Sequence, residues 1–272
     1  MHIAGIRCIA TDATGRWLVT SSSDGTARVW DARTGALLRV LRPPISSPFK
    51  FLNAVAVSPD GRTVACGGSV TGKGSPEIVY NFERVTGRAI RLMAVPLTTV
   101  TSLAFSDDGQ FLAAGLNDKN GIRVWRASDG SPVANDKDYG GPCARIAFAA
   151  DGRLASVSDD GIARLYDASF RLMAKEKPPG GKEPFAIAWS PDGTRLAVGF
   201  NDSTTINVLS GHDLSLLFSP DTAGVANGNL GSVTFSVDGR TLSAGGRWGK
   251  GGLSPIRVWS QGGRGTFRDV AV

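Results

Sequence analysis

Along this chain apolar and polar residues alternate with a period of two, in short runs that stop at turns ending in glycine. The turn recurs six times, as DATG at 12–15, SPDG at 58–61, SDDG at 106–109, AADG at 149–152, SPDG at 190–193 and SVDG at 236–239. Before it stands a run with apolar residues two apart, as in Val55/Val57, Leu103/Phe105, Ile146/Phe148, Ile187/Trp189 and Val233/Phe235. Period-two patterning of this length predicts half-buried strands, and the Asp-Gly pair predicts a tight hairpin whose glycine takes a positive φ. A second strand of small and apolar residues follows (RTVACGG, FLAAGL, RLAVGF, RTLSAGG), then a third (ARVWD, IRVWR, ARLYD, IRVWS), then a more polar fourth (ALLRVL, AIRLMA). No segment sustains a 3.6-residue period, so helices should be rare.

Four strands per unit, repeated at 41 to 48 residues between turn glycines, define an all-β propeller with six four-stranded blades. The blades fall near 2–42, 51–94, 98–135, 143–175, 184–218 and 230–272, within one domain spanning 1–272. Ala, Gly and Ser in the second strand let inner strands crowd together. The large residues of the third strand, Trp30, Phe82, Trp125, Tyr166 and Trp259, are expected to fill the space between blades.

Ser23-Asp24-Gly25, Val29-Trp30-Asp31 and Thr34-Gly35 closely resemble the WD40 repeat, as do Val124-Trp125 and Val258-Trp259. That resemblance covers essentially the whole chain and implies a WD40 β-propeller. It also implies a hydrogen-bonded tetrad in the first blade, for which His2, Ser22, Asp24 and Trp30 are the expected members. Later repeats lack the histidine. The SPDG turns look more like bacterial WD40 arrays than eukaryotic ones, and loosely resemble the arrays that bacteria attach to caspase-like proteases. Seven blades is the common number in the family, so six suggest a closed six-bladed ring or an incomplete piece of a seven-bladed or longer array.

Composition narrows the function classes. No apolar run reaches the length that spans a bilayer, and the start of the chain lacks a signal-peptide pattern. Cys8, Cys66 and Cys143 are scattered, which fits a reducing, cytoplasmic setting and small buried hydrophobes. The net charge is +6. The long loops carry nine basic and six acidic residues, and the short turns on the same face carry five acidic against one basic. The excess charge therefore sits elsewhere, on residues such as Arg33, Arg39, Arg88, Arg91 and Arg171. This distribution disfavours nucleic acid, which needs clustered Lys and Arg. Arg28, Arg123, Arg164 and Arg257 recur two residues before the third-strand aromatic, where their stems are expected to cover apolar surface.

Candidate chemistry is sparse. Only two histidines exist, His2 and His212. A Cys143/His212 dyad would need a base in reach and a third orienting group. Asp159-Asp160 and Asn201-Asp202 read as turn formers rather than a Ca²⁺ site. The run Gly67 to Gly74 does not match a phosphate loop, since Gly74 follows Lys73. No catalytic residue, metal or cofactor is therefore expected. The expected function is a non-catalytic scaffold for a protein partner, with neither nucleic acid nor membrane involved, and an oligomer is expected if the ring is open. The binding face should be the one bearing the long inter-blade and strand 2–3 loops, with Lys50, Lys73, Tyr139, Lys182, Arg247, Trp248 and Lys250 as contact candidates. The alternatives are an enzyme or small-ligand sensor with a site at the channel mouth, or a regulatory or targeting module of a larger protein.

Overall fold

A computed structural model describes residues 1–43, 49–70, 77–96, 98–225, 227–249 and 254–271. Six four-stranded antiparallel sheets account for the described regular structure. Blade 1 holds β1 (Ile6–Thr11), β2 (Trp17–Ser22), β3 (Ala27–Asp31) and β4 (Leu37–Leu41). Blade 2 holds β5 (Phe49–Val57), β6 (Thr63–Val70), β7 (Glu77–Glu83) and β8 (Ala89–Val95). Blade 3 holds β9 (Val100–Phe105), β10 (Phe111–Leu116), β11 (Ile122–Arg126) and β12 (Pro132–Asp136). Blade 4 holds β13 (Cys143–Phe148), β14 (Leu154–Ser158), β15 (Ala163–Tyr166) and β16 (Leu172–Glu176). Blade 5 holds β17 (Pro184–Trp189), β18 (Arg195–Phe200), β19 (Ile206–Ser210) and β20 (Leu216–Phe218). Blade 6 holds β21 (Ser232–Phe235), β22 (Leu242–Gly245), β23 (Ile256–Trp259) and β24 (Phe267–Val270). Within each blade, each strand pairs with the next in sequence. The only helical element among the described residues is a 3₁₀ turn at Gln261–Gly263.

The repeats alone give one domain, whereas the chain forms two compact units, Met1–Cys143 and Ala144–Val272. In the first unit, Val19, Val29 and Leu41 of blade 1 pack on Val55, Val64 and Phe82 of blade 2. The other face of blade 2, with Ala65, Val79 and Met93, packs on Leu103, Leu112 and Trp125 of blade 3. In the second unit, Ala155, Val157 and Leu165 of blade 4 meet Ile187, Leu196 and Leu209 of blade 5. Ala197, Ile206 and Val208 of blade 5 meet Leu242 and Trp259 of blade 6. One rule covers all four joints. The face carrying the third-strand aromatic or its replacement (Phe82, Trp125, Leu209, Trp259) looks back, and the face carrying small second-strand residues looks forward.

The S-x-D-G turns owe their sequence to a local hydrogen-bond set. In blade 2 the Ser58 hydroxyl donates to Asp60 Oδ1 at 2.6 Å and accepts from the Thr63 amide at 2.9 Å. The same pair of bonds recurs at Ser106/Asp108, Ser190/Asp192 and Ser236/Asp238. Gly61 closes the turn at φ 67°, and a Cβ there would lie 2.8 Å from Trp17 Cδ1, so glycine is required twice over. The Asp60, Asp192 and Asp238 carboxyls lie below the usual carboxylate range. Asp192 falls to about 2, held first by the Ser190 hydroxyl and then by the Thr194 amide.

Several arginines fasten neighbouring blades. Arg39 of β4 donates to the Val85 carbonyl in the next blade at 2.6 Å. Arg91 of β8 reaches the Ala127 carbonyl at 2.7 Å and that of Ser128. Arg153 reaches the carbonyls of Gly193, at 2.8 Å, and Gly211, with its guanidinium 5.1 Å from the Trp189 ring centre. Arg39 and Arg91 are thus joints rather than free surface charges. The recurrent Arg28, Arg164 and Arg257 are buried as ions, not only as stems. Arg164 pairs with Asp160 at 2.7 Å, and Arg257 grips Asp269 through Nε at 2.8 Å and Nη2 at 3.2 Å.

Candidate functional site

Antiparallel order within each blade sends the strand 1–2 and 3–4 turns to one face, and the strand 2–3 and inter-blade loops to the other. In the second unit that loop face is tied down by amide side chains. Asn229, almost fully buried, donates from Nδ2 to the Asn201 carbonyl at 2.7 Å and accepts the Arg247 amide on Oδ1 at 2.9 Å. Asn227 Oδ1 accepts the Gly249 amide at 3.1 Å. Asn207, buried on β19, accepts the Gly180 amide at 2.7 Å and donates to the Ser219 hydroxyl at 3.0 Å. Asp202 accepts the amides of Lys182 and Glu183 at 2.9 and 3.1 Å. Residues 177–183, 219–225, 227–231 and 246–249 of three loops are thereby attached to blade 5, directly or through one another, by groups that satisfy otherwise orphaned loop amides.

The side chains left outward on this platform are charged and of both signs. Lys177, Lys182, Glu183 and Arg247 are exposed. Asp159, on the β14–β15 turn, is pushed above the usual carboxylate range by burial first, then by the negative charges of Glu183 and Asp160. Gly161, on the same turn, lies under the Lys182 carbonyl and the Lys177 stem. The surface is a preorganised, mixed-charge patch. It presents the turn acids of blade 4 beside the bases of the 177–183 loop.

The expected contact residues divide into three groups. Lys182 and Arg247 are exposed on this platform. Tyr139 and Trp248 are buried and serve the fold instead. Tyr139 fills the space above Gly121, and Trp248 lies within the blade 6 cluster, its ring centre 5.4 Å from the Arg257 guanidinium. Aromatic loop residues lose more apolar area to water than short loops can leave exposed, so they fold inward. Lys73 and Lys250 lie outside the described residues, as does the side chain of Lys50.

In blade 1 the tetrad geometry is present with one substitution. His2 Nδ1 lies 2.9 Å from Asp24 Oδ2, His2 Nε2 lies 2.7 Å from Thr20 Oγ1, and Trp30 Nε1 donates to Thr20 Oγ1 at 2.9 Å. The hydroxyl is Thr20, not Ser22. In the β2–β3 register Thr20 is the diagonal neighbour of Trp30, whereas Ser22 stands one further strand repeat away. Ser22 instead donates to the Ala4 carbonyl and accepts the Asp24 amide, each at 3.1 Å. Burial raises the Asp24 carboxyl. Hydrogen bonds from the Thr26 hydroxyl, His2 and the amides of Thr26 and Ile3 more than reverse this and hold it far below the usual range. Trp30 itself is half-buried, while Phe82, Trp125, Tyr166 and Trp259 are buried.

On the opposite, short-turn face the first unit has a groove of about 400 Å³ lined by Ser58, Pro59, Asp60, Phe105, Gln110 and Arg126. Most of its polar atoms belong to the turn-closing hydrogen bonds. Among the described residues no group of His, Cys, Asp and Glu is arranged to hold a metal ion. Cys8, Cys66 and Cys143 are free thiols, and burial pushes Cys66 up to about 12. Among the described residues no helix is long and apolar enough to cross a membrane.

Six four-stranded antiparallel sheets with these turns and this tetrad define an all-β propeller with WD40-type blades. The family model described as "WD domain, G-beta repeat" matches residues 2–31 and 95–126. Telomerase protein component 1 of Mus musculus is 28% identical over 200 residues, covering 72% of this chain and 7% of that protein. Cell division cycle protein cdt2 of Schizosaccharomyces pombe is 28% identical over 133 residues, covering 48% of this chain and 27% of that protein. The guanine nucleotide-binding protein subunit beta of Arabidopsis thaliana is 25% identical over 247 residues, 84% of this chain and 62% of that protein. The chain thus spans less than two thirds of each. All three relatives are eukaryotic, so they lend no support to the bacterial, protease-linked kind of array.

Proposed function

We propose that this chain is a non-catalytic scaffold that binds a protein partner through the loop face of its second unit. The observation that carries the reading is the pinning of three loops by Asn207, Asn229 and Asp202. Ordering loops in advance lowers the entropy lost on binding, and such rigidity is not needed where loops merely connect blades. The patch beside it mixes Lys177, Lys182 and Arg247 with Glu183 and Asp159. It suits a partner surface that carries both signs, where charge complementarity sets specificity and on-rate. The similarity to a guanine nucleotide-binding protein subunit beta, by name one subunit of a larger assembly, supports the same class of role.

The test compares two charge-reversed variants as baits in a source-cell lysate, with interactors quantified by mass spectrometry. One carries Lys177→Glu, Lys182→Glu and Arg247→Glu. The other carries Arg62→Glu and Arg240→Glu on the short-turn face. The loop variant is expected to lose the specific interactors that wild type and the turn variant retain. Equal retention by both variants refutes the assignment of the face.

A further inference from the structure

On the short-turn face one register position is used to cover the turn of the following blade. It is the residue just before Leu18, Leu154 and Leu196, which pair with Trp30, Tyr166 and Leu209. The position holds Trp17 in blade 1, Arg153 in blade 4 and Arg195 in blade 5. Arg153 uses its whole guanidinium there. Nη2 donates to the Gly193 carbonyl at 2.8 Å, Nη1 donates to that of Gly211, and Nε donates to Asp151 at 2.8 Å. Arg195 reaches the Gly262 carbonyl at 3.4 Å. Gly211 and Gly262 hold the same place in their blades, each donating its amide to the first hairpin, to the carbonyls of Thr194 and Arg240.

The joint between blades 1 and 2 inverts this arrangement. The earlier blade supplies a ring, Trp17, and the later blade supplies the arginine. Arg84 stands where Gly211 and Gly262 stand, its amide bonded to the Arg62 carbonyl at 2.8 Å. Its Nε donates to the Gly61 carbonyl at 2.6 Å, and its guanidinium carbon lies 4.0 Å from the Trp17 ring centre. Arg16 lies over the same indole, at 4.4 Å. Cation–π contact holds both groups in place. The inversion leaves donors that Arg153 does not have to spare. Among the described residues, both Nη groups of Arg84 and the whole Arg16 guanidinium have no acceptor, and neither arginine has an acid within ion-pair distance. Burial first, then the positive charge of Arg16, lowers the Arg84 guanidinium, against the opposing pull of Asp12. Asp12 is buried, and its carboxylate already accepts the Thr14 hydroxyl and the Trp17 amide. Arg62 points into solvent, loosely paired with Asp60 at 3.8 Å.

We propose that Arg16 and Arg84, held on Trp17, form a binding site for a phosphate group, carried by a phosphorylated protein side chain or supplied as free phosphate. Two guanidinium charges match the roughly −2 charge of a phosphate, whose oxygens accept from both arginines at once. A carboxylate brings a single charge and relieves the repulsion between the pair less. Arg84, half-buried and anchored through Nε, is the fixed half of the site. Arg16, exposed, closes it from the solvent side. The site belongs to the short-turn face of the first unit and shares no residue with the loop platform of the second, so it stands or falls independently of the function proposed for that platform.

The test is titration calorimetry on the full chain at about pH 7.5, where phosphate is mainly dianionic, with chloride holding the ionic strength constant. The probes are inorganic phosphate, N-acetyl-O-phosphoserine amide and N-acetylglutamate amide. Wild type is expected to bind both phosphates saturably, and at least tenfold more tightly than the glutamate derivative. Tighter binding of the phosphoserine derivative than of inorganic phosphate assigns the site to a modified protein side chain; equal or weaker binding assigns it to free phosphate. Arg16→Gln and Arg84→Gln are each expected to weaken phosphate binding at least tenfold, and Arg62→Gln to leave it unchanged. Arg16 has no side-chain hydrogen bond to lose, so Arg16→Gln carries the test if loss of the Gly61 bond unfolds Arg84→Gln, with circular dichroism melts as the control. A wild type without saturable phosphate binding overturns the inference, as does equal affinity for the glutamate derivative or undiminished binding by Arg16→Gln.

Discussion

Replacing Thr20 by valine tests whether the blade 1 network stabilises the first unit. Valine keeps the shape and the β preference and removes one oxygen. That oxygen accepts the Trp30 indole N–H at 2.9 Å and lies 2.7 Å from His2 Nε2. With neutral His2 protonated on Nδ1, the chain of bonds runs from Trp30 N–H to the Thr20 oxygen, from the Thr20 O–H to His2 Nε2, and from His2 Nδ1–H to Asp24. Each bond contributes roughly 1 kcal/mol net, and stranding a buried partner costs roughly 1–3 kcal/mol more. Thr20 is buried, but Trp30 is half-exposed, so water repairs part of the loss on the indole side. The expected cost is about 2–3 kcal/mol. At ~2 cal/mol/K per residue, a unit of this size loses about 3 °C of Tm per kcal/mol, which gives ~6–9 °C. The assay is a calorimetric or circular dichroism melt of Thr20→Val beside Thr20→Ser and Ser22→Ala. Thr20→Ser keeps the hydroxyl and should recover most of the stability. Ser22→Ala should cost about half as much as Thr20→Val. A Thr20→Val shift below about 2 °C, or a larger shift from Ser22→Ala, refutes the reasoning.

Four further outcomes are expected. Asn81 is fully buried among apolar residues, and neither amide atom has a partner among the described residues, while Val29, Val124, Leu165 and Val208 hold the equivalent place; Asn81→Val should raise stability by ~1–2 kcal/mol in a urea titration, by removing an unpaid desolvation. Gly61→Ala should cost ~1–2 kcal/mol from the positive φ and the contact with Trp17, and an unchanged melt would show that the turn relaxes freely. Asp192, lowered from 3.8 to about 2, adds stability that is fully present above pH 4 and is lost as pH falls towards 2; Asp192→Asn should therefore be less stable than wild type at pH 7, by under about 1 kcal/mol given its exposure, and equal to it near pH 2. Asp159 has the opposite sign, since a raised carboxyl favours the fold while protonated and opposes it once pH passes its folded value; Asp159→Asn should gain Tm at pH 7 and not at pH 3.5.

The blade pattern was readable from residues because the forces behind it are local or periodic. The S-x-D-G turn closes through bonds within six residues, and cross-strand alternation decides which side chains face a neighbouring blade. Both therefore print a repeat. The features that escaped depend on position across strands or between loops. Thr20 and Ser22 lie on the same face of β2, and only the register with Trp30 decides between them. Arg39 and Arg91 look like surface charges until the next blade's turn carbonyls come within reach of their guanidinium groups.

The loop face shows the same division at the level of the site. Lys182 and Arg247, expected from loop length and charge as contact residues, are exposed, because long charged side chains stay in water whatever the loop conformation. The same expectation failed for Tyr139 and Trp248, whose apolar area is large enough to fold the loop inward over them. The residues that order the platform, Asn201, Asp202, Asn207 and Asn229, carry no motif. Asp202 keeps the turn acid that Asp24, Asp118 and Asp160 supply in other blades, whereas Asn207 breaks the repeat, standing where Arg28, Arg123, Arg164 and Arg257 stand. In the buried arginine positions the side chain finds an acid or a carbonyl of its own or the neighbouring blade. In blade 5 the shorter amide turns to the 180 loop and the Ser219 hydroxyl instead. A break in a repeat at a buried polar position thus marks the blade whose loops are held, and here it coincides with the face proposed to bind.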